Sequence, residues 1–192
     1  TSTAANHLRL QVGKKAGQSS FAGVRVVPLS SFTHHLGIRA TGHAGRRWEP
    51  ALDLLLFELV DQLPTSSPLS RLKEMPSGYT LLRPTFLDLA DGGFGLTERE
   101  ILEELAQEPD LTPLEAETIR LFMSWIQAVE QDGLDWEPLL HQMIPEWITQ
   151  SDDETLHSSL ACEQDQIPRF FVYGFYGFTD VNAQIIAALG RR

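Results

Sequence analysis

A single cysteine, Cys162, stands in the 192 residues, so no internal disulfide can form and no multi-cysteine zinc site exists. We read it as an inert structural or surface residue, and a reducing cytoplasm as the natural setting. No apolar run approaches the roughly 20 residues that a helix needs to cross a bilayer. The longest, residues 52–60, is broken by Asp53 and Glu58. The first residues carry no apolar core after a basic start, unlike a signal peptide. No Gly-x-x-x-x-Gly-Lys-Ser/Thr loop occurs to cradle a nucleotide phosphate, and no Gly-x-Ser-x-Gly elbow occurs to present a nucleophile. No fixed repeat appears either, which excludes a solenoid.

Acids are missing from one region altogether. Residues 1–47 hold seven bases (Arg9, Lys14, Lys15, Arg25, Arg39, Arg46, Arg47) and no acid. Residues 48–168 hold five bases and 25 acids, and the last 24 residues hold three bases and Asp180. The net charge of −11 therefore conceals two basic ends around an acidic middle, which is not the pattern of a uniform nucleic-acid binder. Hydrophobic content of 42% and charged content of 21% suit an ordinary globular chain.

Periodicity predicts a helix over residues 4–15, capped by Thr1-Ser2-Thr3, then a short buried strand over residues 24–29, rich in valine. A helix capped by Ser30-Ser31 follows, carrying Phe32 and Leu36 and stopping at Gly37. From Trp48 onward helices joined by short polar turns are expected. Pro50 opens one through Leu52, Leu55, Leu56, Leu59 and Leu63. Another runs from Ser77-Gly78 through Leu82, Phe86 and Leu89, bent at Pro84. Thr97–Glu100 and Thr112–Glu115 both fit a capping box, the second opening a helix that buries Ile119, Phe122, Met123, Ile126 and Val129. Trp136-Glu137-Pro138 begins a further helix through Ile144 and Trp147, and Ser151–Glu154 is an acidic loop or helix start. A strand over residues 170–173 and a last helix, with Ile185, Ile186 and Leu189 inward, end the chain. The expected fold is α/β but predominantly helical: segments 1–47 and 169–192 share a partial parallel sheet, and residues 48–168 form an acidic helical insertion.

Phe170-Phe171-Val172-Tyr173-Gly174-Phe175-Tyr176-Gly177-Phe178-Thr179, followed by Gln184, resembles the Walker B region of superfamily-one helicases. Tyr173 and Gly174 stand where that family holds its Asp-Glu pair. The run Gly-Phe-Tyr-x-Phe-Thr is similar to that of AddB and RexB type subunits of bacterial recombination nucleases, which keep a helicase fold in degenerate form. Thr1-Ser2-Thr3-Ala4-Ala5 resembles the Thr-rich motif of the same helicases, and Val26–Phe32 their following strand. Trp125–Glu130 with Gly133–Trp136 resembles a helix end of their helical insertion, subdomain 1B. The resemblance implies a P-loop helicase-like domain; any phosphate loop would lie upstream of Thr1, and proteins of that type carry a separate nuclease domain further along their chains. It implies a degenerate Walker B at Tyr173, Gly174 and Phe175, no bound cofactor or metal, and a helicase-nuclease partner subunit.

Magnesium-dependent ATP hydrolysis requires an acid that Tyr173 and Gly174 do not supply. The residues expected to touch DNA are Thr1, Ser2, Thr3, Ser31 and Phe32, together with Arg9, Lys14 and Lys15 as phosphate contacts. Such binding is expected to be weak and strongly salt dependent. His34 and His35 diverge on a helix and read as structural or solvated. The Phe170–Phe178 aromatics fit base stacking or core packing. The competing interpretation is a helical protein–protein interaction module unrelated to DNA. A small hydrolase or metal enzyme is a third, which no residue set recommends.

Overall fold

The computed structural model describes residues 27–42, 49–95, 97–159, 172 and 179–192. Every regular element among them is helical, and no strand or sheet occurs among the described residues. The expected partial parallel sheet is thereby corrected. At the first expected strand, Val27 and Pro28 belong to no regular element. Pro28 (φ −60, ψ 145) is then the N-cap of α1, Leu29–Thr41, and its carbonyl accepts from Phe32 N at 3.0 Å. The β-branched run leads into a helix because proline pre-sets φ there and has no N–H to give a sheet ladder. At the second, Val172 belongs to no element and is 46% exposed, which is not the burial of a parallel strand. The remaining residues of both expected strands, and the expected helix over residues 4–15, lie outside the described residues.

The chain divides into two compact units. One comprises Gly45–Gln142 with Thr179–Val181. In it, α2 (Pro50–Gln62) starts where Pro50 occupies the first turn, and buries Leu52, Leu56 and Val60. Two 3-10 turns follow, Ser70–Glu74 and Gly78–Leu82, and then α3, Arg83–Asp91. Pro84 lies in the first turn of α3, so it begins a new helix instead of bending an existing one. The short α4, Arg99–Leu105, has Glu98 as N-cap without a side-chain cap. The box expected over Thr97–Glu100 is absent because the Glu98 carboxylate takes the Gly95 N–H (3.0 Å) and the Thr97 hydroxyl (2.7 Å) instead.

The longest helix is α5, Pro113–Gln131, and its capping box is complete. The Thr112 hydroxyl oxygen accepts from Glu115 N at 3.3 Å, while Thr112 N donates to Glu115 Oε2 at 2.8 Å. These bonds hold the Glu115 carboxyl below its ordinary pKa, the Thr112 side chain contributing most. A depressed carboxylate pKa stabilises the fold above the unfolded value, and that contribution disappears as pH falls through the folded value. Thr112→Ala is expected to cost about 1 kcal/mol in urea denaturation at pH 7. The deficit should shrink in acid, and an equal deficit at pH 3 would show that the box is not its source.

Helix α5 is central to this unit and packs against both α2 and α4. It therefore buries Leu121 and Trp125 as well as Ile119, Phe122, Ile126 and Val129, whereas the expected core residue Met123 is half-buried. Phe86 meets Phe122 edge-on with centroids 5.1 Å apart, and Trp125 meets Trp136 edge-on at 4.8 Å. The short α6, Glu137–Gln142, is tied to the end of α3 by Gln142, whose amide donates to the carbonyls of Ala90 (2.9 Å) and Phe94 (3.1 Å).

The other unit comprises Thr1–Ala44, Met143–Phe178 and Asn182–Arg192. Its helix α1 passes through the buried Gly37 and ends at Gly42, whose φ of 74° accommodates the left-handed cap, so the stop comes five residues later than expected. It packs on α7, Ile144–Gln150, which has Met143 as its N-cap and Pro145 in its first turn. His35 Nε2 lies 3.0 Å from the Ser159 carbonyl of α8, Asp153–Ser159. The Asp152 carboxylate accepts from Thr155 N at 2.7 Å, confirming a helix start, and this bond lowers the Asp152 pKa. In α9, Asp180–Gly190, Ile185 and Ala188 are buried, while Ile186 and Leu189 are only half-buried. The guanidinium of Arg192 donates to the carbonyls of Ile148 (3.2 Å) and Ser151, closing the end of α7.

Candidate functional site

Of the residues expected at a site, the structure describes two. Ser31 and Phe32 are consecutive on the first turns of α1, the serine exposed and the phenylalanine half-buried. Thr1, Ser2, Thr3, Arg9, Lys14 and Lys15 lie outside the described residues, as do Tyr173, Gly174 and Phe175. Gln184, the glutamine of the helicase-like motif, lies on α9 and is exposed.

No group of three or more potential metal ligands occurs among the described residues. His141 Nε2 sits 3.5 Å from Glu137 Oε1 across one turn of α6, both largely buried. The pair joins successive turns of one helix, so a packing role suffices. Asp91 is half-buried, and burial raises its pKa, with repulsion from Asp88 adding to the shift. Among the described residues no helix is long and apolar enough to cross a membrane.

A shallow cleft lies within the unit of Gly45–Gln142, hereafter the acidic unit, between α2 and the two 3-10 turns. Phe57, Val60 and Asp61 of α2 line one side, and Leu72, Lys73, Met75, Ser77 and Tyr79 line the other. Phe57 and Tyr79 meet edge-on with centroids 5.8 Å apart. Lys73 Nζ donates to the Asp61 carbonyl at 2.5 Å and braces the wall. The corner is built by Ser77, whose φ of 54° is left-handed, followed by the buried Gly78. The cleft holds only about 60 Å³. That volume admits the tip of one side chain, whereas drug-sized ligands occupy pockets of roughly 300 Å³ or more.

What sets the cleft apart is the apolar surface around it. Phe57 is 49% exposed, Met75 47%, and Leu54, one turn before Phe57 on α2, 57%. Sequence reading assigned the α2 leucines to the core and passed over Leu54 and Phe57. The signal was present, because residues 52–60 carry more apolar side chains than a single inward stripe can use. Compared with known proteins, the chain matches no family model, no curated protein and no solved structure.

Proposed function

We propose that this chain is a non-catalytic scaffold segment of a bacterial helicase-nuclease of the AddB or RexB type, acting in the cytoplasm on broken DNA ends beside a helicase-nuclease partner. The observation that carries the reading is at the C-terminal motif. The Gly-Phe-Tyr-x-Phe-Thr run at residues 174–179 is followed directly by a helix beginning at Asp180, and that helix bears Gln184. The purely helical stretch between residues 50 and 159 is compatible with a helical insertion. No parallel sheet is part of the proposal.

The chain is assigned a positioning role, with Arg9, Lys14 and Lys15 touching phosphates and Thr1, Ser2, Thr3, Ser31 and Phe32 lining the strand. Tyr173 and Gly174 in place of an acid pair leave it without a magnesium ligand at that point. Three phosphate contacts give a log–log salt slope of about −2 for single strands, so raising salt fourfold should weaken binding about 20-fold. Fluorescence anisotropy of a labelled single-stranded oligonucleotide measures this. Replacing Arg9, Lys14 and Lys15 together by alanine should flatten the slope and abolish most low-salt binding. A titration that shows no binding at low salt, or one that the triple variant leaves unchanged, rejects the proposal in favour of a helical interaction module unrelated to DNA.

A further inference from the structure

We infer that the apolar surface of Leu54, Phe57, Met75 and Tyr79 is a docking site for a basic amphipathic helix of a partner protein. Three of these side chains keep about half or more of their surface exposed, and Phe57, Met75 and Tyr79 meet at the mouth of one cleft. Leu54 and Phe57 are spaced i, i+3, so they project from one side of α2 as an anchor pair. Clustered exposed aromatic and methionine side chains are what helix-in-groove recognition uses, a partner's apolar side chain entering a small pocket between them. The cleft volume of about 60 Å³ suits one such tip.

Charge selects the occupant. Residues 49–142 hold 19 acids against five bases, a balance of −14. Several of those bases are already engaged: Arg83 with Asp53, Arg99 with Glu103 at 2.9 Å, Arg120 with Glu117 at 3.2 Å, and Lys73 with the Asp61 carbonyl. Beside the anchors in sequence stand Glu58, Asp61 and Glu74 together with Arg71 and Lys73, the lysine tied to the Asp61 carbonyl, so the acids outnumber the bases there by one. An acidic rim around an apolar centre complements a helix whose apolar stripe is flanked by lysine and arginine. The same field repels a nucleic acid or another acidic surface. The site lies wholly on the acidic unit, so it stands whether or not the basic N-terminal segment contacts DNA.

The test uses the full chain and two labelled peptides of roughly 18 residues with leucine at helical spacing. One carries lysine at its polar positions and the other glutamate. Phe57→Ser and Leu54→Ser alter partly exposed side chains, and circular dichroism should show both variants folded, Phe57→Ser with a slightly lower melting temperature because its edge-on contact with Tyr79 is lost. The wild-type chain should bind the lysine peptide saturably and leave the glutamate peptide unbound. Each serine variant should bind the lysine peptide at least tenfold more weakly. Equal binding by wild type and both variants would mean that overall charge is responsible, and would overturn the site. No binding of the lysine peptide overturns it as well. A wild-type dimer that either serine variant converts to monomer would show that a second copy covers the surface, against this assignment. No DNA enters the measurement, so its failure is distinguishable from failure of the DNA-scaffold proposal.

Discussion

Trp125→Ala should unfold the acidic unit more severely than any other single truncation in it. The side chain is fully buried at the centre of α5, with its ring 5.4 Å from that of Phe86 and 4.8 Å from that of Trp136. Its indole Nε1 donates to the Leu52 carbonyl of α2 at 3.3 Å, so one residue bridges two helices by packing and by a polar contact. Removing a buried tryptophan costs about 3–5 kcal/mol, through lost transfer energy and the cavity left behind. Net stability of a domain is about 5–15 kcal/mol, so the variant should lose its cooperative transition or keep a small fraction of it. Trp125→Phe keeps an aromatic ring but loses the N–H donor, and should cost roughly 1–2 kcal/mol. Urea denaturation followed by circular dichroism separates the two variants. Equal midpoints for wild type and Trp125→Ala would mean that α5 is not the spine of this unit.

The second large effect is expected from a single methyl group. A Cβ at Gly78 would stand 2.4 Å from the Leu72 carbonyl oxygen and 2.9 Å from Met75 Cβ. The nearer atom is backbone and cannot swing aside, so the two 3-10 turns must separate. Forcing extra volume into such a position costs about 1–3 kcal/mol. Gly78→Ala should therefore lower the melting temperature of the chain and also weaken lysine-peptide binding, because Met75 and Tyr79 sit on either side of the displaced corner. Gly133→Ala provides the contrast. Gly133 has a φ of 63° but nothing within 4 Å of an added Cβ, so the cost there is conformational alone, about 1 kcal/mol, with binding untouched. If Gly78→Ala melted with the wild type, the close approach of these turns would be disproved.

Local signals in this sequence were the legible ones. Pro50 starts α2 and Thr112-x-x-Glu115 starts α5 because a fixed φ and a reciprocal pair of hydrogen bonds act within four residues, whatever surrounds them. The sheet was a misreading of signals that depend on context. Val26-Val27-Pro28-Leu29 has strand composition, but β propensity largely reflects packing against neighbouring strands, and Pro28 caps a helix here. Gly37 looked like a terminator, yet it is buried within α1, and the left-handed conformation that ends the helix occurs at Gly42. Leu121 and Trp125 were not assigned to the core because a central helix buries more than one face, whereas periodicity reports one stripe. Leu54 and Phe57 have core chemistry, and the surplus of apolar side chains over residues 52–60 was the one sign in the sequence that some of them face outward.

The charge pattern, by contrast, could be read directly, and it separates the two surfaces proposed for this chain. The acid-free segment 1–47 is assigned to phosphate, and the acidic unit to a basic helix. Photo-crosslinking of the full chain to single-stranded DNA bearing 5-iodouracil, with the adducts mapped by mass spectrometry, addresses that division directly. Adducts confined to peptides within residues 1–32 are the expected result. Adducts on peptides from residues 49–142, or none at any salt concentration, would contradict it.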